Sequence, residues 1–362
     1  MSGWDKPGAI LVTGGAGFVG SNLAISFKRA HPDRNVLALD NLKRRGSELN
    51  IRRLASENIE FVHGDIRNPE DLAFAGRDIA LIVECSAEPS VLAGFGGSPA
   101  YLLNSNLTGA INCFEAARLH RADVVFLSTS RVYPVRYLND LNFIEEETRF
   151  SLATEQPFPG ASANGISENF PLDAPRSLYG ATKLAAELIA QEYAEMYDVR
   201  VIINRCGVIA GSWQMGKVDQ GVFTLWMAAH YFGKSLKYIG FGGAGKQVRD
   251  VLHVDDLFDV LEIQLAQIDQ FNGKIHNVGG GLANALSLQE TTAICREITG
   301  NRIDIAADLQ DRPADIKSYI SDNAKISAAC GWQPNRNPRQ TLTDIFDWIR
   351  TNERELKPVL HG

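Results

Sequence analysis

The sequence predicts an α/β protein built on a doubly wound parallel sheet, with a smaller C-terminal lobe. Three observations carry this. The apolar run 9–13 ends in glycines and passes into a helical pattern. Strand-length apolar runs then alternate with helical patterns as far as Asn204. Beyond about residue 205 the alternation becomes irregular and glycine-rich turns take over.

Each element has its own reason. Segment 9–13 is short and wholly apolar save for its terminal Thr13, the mark of a strand buried on both faces. Segment 21–30 has helical periodicity, and 35–40 is a second apolar run, so the chain opens with a βαβ unit. Segments 59–63, 79–83, 124–128 and 199–204 continue the strands, with helices expected over 108–119 and 177–196. Segment 136–176 is rich in Pro, Gly, Ser and Asn, lacks periodicity, and is expected to be a long functional loop. Glycine turns at 240–245 and 279–281 and helical patterns at 288–299 and 341–353 belong to the second lobe. The expected division is a Rossmann domain over 1–204, returning at about 250–280, and a lobe over 205–362.

The bulk properties narrow the function. The 362 residues carry a formal net charge of −7, and the densest basic cluster is Lys43-Arg44-Arg45, too short for a nucleic-acid footprint. The five cysteines are scattered without metal-binding spacing, so neither a disulfide framework nor a metal site is expected. No apolar run is long enough to span a membrane and the N-terminus does not read as a signal peptide. The expectation is a cytoplasmic protein without nucleic-acid or membrane partners.

The glycines Gly14, Gly17 and Gly20 lie between the first strand and the first helix. The first allows a tight turn, the second lets backbone approach a pyrophosphate, and the third lets the helix pack on the sheet. A pyrophosphate would rest at the helix N-terminus beside Phe18 and Val19, where free N–H groups favour negative charge. Asp40 ends the second strand about 20 residues on, where a carboxylate binds ribose hydroxyls and repels a 2′-phosphate, which favours NAD. Asn41 follows it, and Lys43 and Arg44 are further cofactor-binding candidates whose basic side chains could instead accommodate a 2′-phosphate. Asp65 and Ile66, after the third strand, suit the adenine edge.

Tyr179 and Lys183 are spaced i, i+4 and share one helix face. Thr129 closes a strand at the carboxyl edge of the sheet, where such folds place their sites. An ammonium beside a phenol favours the phenolate, which can take a proton from a sugar hydroxyl while hydride leaves the same carbon. A threonine hydroxyl can hold the substrate oxygen.

TGGAGFVG (13–20), Asp65, STSRVY (128–133) and YGATK (179–183) resemble the extended short-chain dehydrogenase/reductase family of nucleotide-sugar epimerases and dehydratases, over nearly the whole chain. The resemblance implies NAD as cofactor, Thr129, Tyr179 and Lys183 as the catalytic trio, and a nicotinamide-ribose contact for Lys183. Family members that dehydrate the sugar carry an Asp-Glu pair after the threonine, one acid to protonate the leaving hydroxyl and one base to take the neighbouring proton. Here Ser130 and Arg131 stand there, which argues for epimerisation.

Segments 40–46, 61–68, 146–149, 219–221 and 245–253 are similar to one subgroup, the CDP-paratose 2-epimerases. That resemblance implies a CDP-hexose substrate inverted at C2, with Gln220, Gln247 and Arg249 near it; Glu88, Ser130 and Asn204 are further candidate substrate contacts. Arg312 and Asp315 resemble the RPxD element whose Arg grips the diphosphate and whose Asp meets the nucleotide ribose. His253 belongs to a stretch common to the wider family and reads as structural. The family pattern breaks at Glu84-Cys85-Ser86-Ala87, where His-x-Ala-Ala is usual, and at Pro134, where glycine is usual. A 4-epimerase and an NADPH-dependent reductase remain open, and the family implies a homodimer or homotetramer.

Overall fold

The computed structural model describes residues 4–74, 76–217 and 220–360. The chain divides into two compact units, Met1–Thr129 with Leu178–Arg205 and Val254–His276, and Ser130–Ser177 with Cys206–His253 and Asn277–Gly362.

In the first unit the expected alternation appears as β1 (Ala9–Thr13), α1 (Phe18–Ala30), β2 (Val36–Asp40), α2 (Leu49–Ser56), β3 (Glu60–His63), β4 (Ile79–Glu84), α3 (Gly109–His120), β5 (Asp123–Thr129), α4 (Leu178–Met196), β6 (Val201–Cys206), α5 (Val254–Ala266) and β7 (Ile275–Val278). The sheet has seven strands in the order β7-β6-β5-β4-β1-β2-β3. The chain therefore starts at β1, winds outward to β3, and then restarts on the other side of β1 at β4. Pairings β1–β2, β1–β4, β2–β3 and β4–β5 are parallel, which leaves all their carboxyl ends on one edge. The switch of direction falls between β1 and β4, directly above the glycine turn.

β1, β4 and β5 are buried along their entire lengths, as runs of Ile, Leu and Val at the centre of such a sheet must be. Phe114 of α3 meets Phe126 of β5 edge to face at 5.5 Å, while Phe27 of α1 meets Phe258 of α5 at 5.1 Å. Between β4 and α3 a helical turn at Ala100–Leu103 and a π-helical turn at Asn104–Thr108 run directly into α3, so the helical stretch begins eight residues before the sequence pattern does.

The second unit centres on the strand Val248–His253. It pairs parallel with Val208–Ala210 and Ser318–Tyr319 and antiparallel with Ala285–Ser287. The helices Val222–Phe232, Leu288–Thr299 and Pro338–Thr351 belong to it, the second matching the sequence expectation residue for residue. Ser287 and Glu290 form a capping box at its start.

Two expectations need correction. Residues 130–177 belong to the second unit, not to the Rossmann domain, and that unit is no smaller than the first. Nor is 136–176 a structureless loop. It holds the short helix Val135–Asn139, the antiparallel pair Phe143–Glu145 and Phe150–Leu152, and a second pair, Ala161–Ser162 with Gly165–Ile166. Long-range hydrogen bonds hold it: Phe150 N donates to Lys246 O at 3.0 Å, Ile166 N to Ile320 O at 2.8 Å, and Arg149 reaches Ala285 O at 3.0 Å. Those partners lie more than 90 residues away in sequence, beyond what local periodicity can register.

Candidate active site

The glycine turn is as tight as the sequence requires. Gly14 sits at φ +62°, a left-handed conformation costly for other residues. A Cβ on Gly20 would lie 2.2 Å from Gly14 O, so only glycine lets α1 close on the turn. Gly17 caps α1 with extended backbone, and neither a capping side chain nor an acidic residue occupies the first turn. The leading N–H groups beside Phe18 and Val19 thus have no side-chain acceptor, the arrangement that receives a pyrophosphate.

Asp40, at the carboxyl end of β2, braces this turn. Its Oδ2 accepts the Ala16 N–H at 3.1 Å and its Oδ1 the Leu42 N–H at 2.8 Å. Burial pushes its carboxyl up, and the N–H groups of Leu42, Ala16 and Gly17 pull it back. Asn50 completes the frame by donating to Ala16 O at 2.9 Å, a role no motif signals. Asn41 donates to Asp65 at 2.8 Å, and the Arg67 guanidinium bonded to Asp65 holds that carboxyl down at about 2. The exposed Lys43 and Arg67 each lie 4.9 Å from the centre of the Tyr101 ring, while Arg44 is half-buried. The side chain of Ile66 is core, packed so closely on Gly109 that a Cβ there would meet it at 2.5 Å. Of the adenine pair, then, Asp65 offers the polar group and the Ile66 side chain does not reach outward. A backbone cradle that a Cβ would fill, an open helix N-terminus and an acid at the end of β2 together fit a dinucleotide.

All three residues of the expected trio belong to the first unit. Thr129 ends β5 and is buried. Tyr179 lies half-buried in the first turn of α4, and Lys183 one turn later is buried. Lys183 Nζ is 3.2 Å from Glu84 Oε2, at the end of β4, and 4.2 Å from the centre of the Phe126 ring. A second buried group ties β5 to α4. Ser128 Oγ donates to the Glu187 carboxylate, which Arg205 of β6 grips through Nε and Nη2, the latter at 2.7 Å. Sequence reasoning noted Glu84 only as a break in the family pattern and missed Glu187 and Arg205. The spacing of Glu187, four after Lys183 on one helix face, was the available signal.

In the second unit the strand Val248–His253 presents Arg249 to the 312–316 segment. Arg249 Nη2 donates to Asp315 Oδ1 and to Ile316 O, both at 2.9 Å. Burial lowers its guanidinium to about 10, the Asp315 carboxylate opposes that, and the nearby Arg131 adds to it. Arg131 itself donates to Ala314 O at 3.3 Å, and Ala314 holds the strained φ of +58°. Two guanidiniums, those of Arg131 and Arg249, thus stand close enough to feel each other's charge, and Arg312, three residues before Asp315, is half-buried. Arg131 entered the sequence reading only as the residue replacing an acid; its place beside Arg249 is new.

The remaining residues divide. Gln247 is buried and donates to Ile239 O at 2.6 Å, and Gln220 exchanges backbone hydrogen bonds with Lys217. Asp219 lies outside the described residues. Glu88 is fixed by Asn106, which accepts its N–H at 2.7 Å and donates to its carbonyl at 3.0 Å. Ser130 is buried in the turn after β5. Asn204 is wholly buried in β6 and pairs reciprocally with Gln264 at 2.7 and 2.9 Å. Arg249 and Asp250 do not pair. Adjacent strand residues face opposite ways, and Asp250 accepts instead from the N–H groups of Gly281 and Ser321. His253 is buried with Nε2 3.3 Å from Asp344.

Comparisons with known proteins agree with this geometry. The NAD dependent epimerase/dehydratase family matches residues 10–279. A CDP-paratose 2-epimerase of Salmonella typhi is 31% identical over 350 residues, covering 94% of this chain and 98% of that protein. A putative UDP-glucose 4-epimerase of Methanocaldococcus jannaschii is 27% identical, covering 95% and 99%. The crystal structure of a dTDP-glucose 4,6-dehydratase from Streptomyces venezuelae with NAD bound is 27% identical with a TM-score of 0.78, covering 97% and 99%. The chain belongs to the NAD dependent epimerase/dehydratase family. It is an NAD-dependent enzyme of that family, with the Rossmann fold of the extended short-chain dehydrogenases/reductases.

When bound, NAD supplies a hydride acceptor that can return what it takes. The residues do the rest. The glycine turn and the N-terminus of α1 would hold the pyrophosphate, and Asp40 the ribose. Tyr179 would move the proton of the sugar hydroxyl, Thr129 would hold its oxygen, and Lys183 would supply positive charge that favours the phenolate. Among the described residues no helix is long and apolar enough to cross a membrane.

Proposed function

We propose that the protein is an NAD-dependent epimerase of a nucleotide-activated hexose, inverting C2 of a CDP-sugar through a transient keto intermediate. The observation that carries the reading is the trio Thr129, Tyr179 and Lys183 followed by Ser130 and Arg131. The trio serves reversible oxidation of a carbinol. Elimination of water needs a further acid and base, and neither Ser130 nor Arg131 is a carboxylic acid.

The choice of sugar rests on the 31% identity to the Salmonella typhi enzyme and on the segment 245–253. Arg131 and Arg249 bring two guanidiniums near each other, suited to a diphosphate, and Arg312, Asp315 and Gln247 are further candidates for the nucleotide. Gln220, Glu88 and Ser130 are further candidates for sugar contacts. The reading carries with it a cytoplasmic location, in keeping with cysteines scattered along the sequence, and a homodimer or homotetramer. Leu119 of α3 and Leu188 and Met196 of α4 stay more than half exposed, a face suited to a second copy.

The test is a panel of CDP-, UDP-, dTDP- and GDP-hexoses, with products resolved by NMR. Inversion at C2 of a CDP-sugar is the expected outcome. Inversion at C4 would establish the 4-epimerase instead, and stoichiometric consumption of NADPH the reductase. Arg131→Ala is expected to raise KM for the nucleotide sugar by about 10- to 100-fold with little change in kcat, the loss of one charge-assisted phosphate contact. An unchanged KM in steady-state kinetics would remove Arg131 from the site.

A further inference from the structure

Glu84 is the side chain in the first unit that the mechanism leaves unused. It stands where strand β4 ends, and its side chain is 1% exposed. A carboxyl at that depth needs a reason, because burying a charge without a partner is costly. Its partner is the catalytic lysine: Oε2 lies 3.2 Å from Lys183 Nζ, whose own side chain is 3% exposed. Oε1 is buried without a hydrogen-bond partner, so the carboxylate is held through the lysine. The Phe126 ring lies 4.2 Å from Nζ and leaves the ammonium little freedom.

We propose that Glu84 is a positioning residue for Lys183, fixing where the ammonium stands at the end of β4 and moderating the positive charge felt at Tyr179. The inference rests on the reading of Tyr179 as proton carrier and Lys183 as its electrostatic partner. The Lys183 side chain is long and flexible, and ordering it costs rotamer entropy. A buried counter-charge orders it before substrate arrives. The other groups facing the pair are few. Cys113 of α3 is a thiol that burial, with the Glu84 charge, pushes well up and so keeps neutral. Cys85 adjoins on the chain, and Thr13 of β1 brings a hydroxyl toward Cys113. Burial pushes the Glu84 carboxyl up, while the Lys183 ammonium and the Ser86 N–H pull it down.

Position predicts a pH signature that packing alone would not. Removing a negative charge beside the ammonium favours the phenolate of Tyr179, so the acid limb of the kcat profile moves to lower pH. For Glu84→Gln the expected shift is about one pH unit, with kcat down roughly tenfold and sugar KM within about twofold of wild type. Glu84→Asp keeps the charge and leaves the acid limb where it was, with kcat between the two. An acid limb unmoved in Glu84→Gln, with kcat within about twofold, would overturn the proposal.

A second measurement is independent of any sugar. Melting temperatures of Glu84→Met, Lys183→Met and the double variant form a cycle, in which coupled partners lose less together than the sum of their separate losses. Additive losses would overturn the pair. Coupled losses in a protein that turns over no nucleotide sugar would preserve the placement of Lys183 by Glu84 and defeat the epimerase reading instead.

Discussion

Tyr179→Phe is expected to lower kcat by about 1,000-fold while the protein keeps its NAD, the loss of one general acid–base group. The variant removes a single oxygen from the first turn of α4. Nothing in the glycine turn depends on that oxygen: Gly14 keeps its φ of +62°, Asp40 keeps the N–H groups of Ala16 and Leu42, and α1 keeps its open N-terminus. Cofactor release on denaturation, quantified against wild type, checks retention, and single-turnover kinetics check the rate. A rate within a few-fold of wild type would remove Tyr179 from proton transfer and leave the trio without its acid–base member.

The second large effect is on stability. Glu187→Ala is expected to cost about 3–5 kcal/mol, because it strands a buried guanidinium. Glu187 is fully buried and the Arg205 side chain is 4% exposed, so no solvent compensates the lost pair. Arg205 Nε lies 3.1 Å from both carboxylate oxygens, and Ser128 Oγ donates to the same group. Those bonds hold the end of β5, and with it Thr129, against α4, which carries Tyr179 and Lys183. The variant should therefore lose activity below its melting temperature as well as melt earlier. Replacing Glu187 and Arg205 together by Met should recover most of the stability, since two apolar groups leave no buried charge unpaired. Chemical denaturation of the three proteins makes the comparison. A Glu187→Ala loss below about 1 kcal/mol, the range of exposed pairs, would contradict the assignment.

How much of this was legible in the sequence follows from the range of each signal. Local signals were read well. The glycines at 14, 17 and 20 are placed by backbone sterics within one turn, and the apolar runs of β1, β2, β4 and β5 report burial on both faces. Asp40 was found because it follows the strand at a fixed distance. The misses depend on partners distant in sequence. Lys183 meets Glu84 across 99 residues, and Ser128 meets Glu187 across 59, so neither carboxylate could be told from an ordinary charged residue by spacing alone. Segment 136–176 looked structureless because its hairpins draw their order from Lys246, Ala285 and Ile320. The pairing of Asn204 with Gln264 spans 60 residues and was likewise out of reach of any local signal. At positions 130–131, by contrast, what the residues are not was informative. A serine and an arginine there argue against dehydration, and the structure places that arginine near Arg249.

The central claim is that one carbon is oxidised and the hydrogen it loses is returned to that carbon. Incubating the enzyme with its nucleotide sugar in heavy water and following the ring protons by NMR tests it directly. The expected result is inversion at one carbon with its original hydrogen retained and no deuterium there. Deuterium at the inverted carbon would show proton exchange with solvent and contradict the roles given to Thr129, Tyr179 and Lys183.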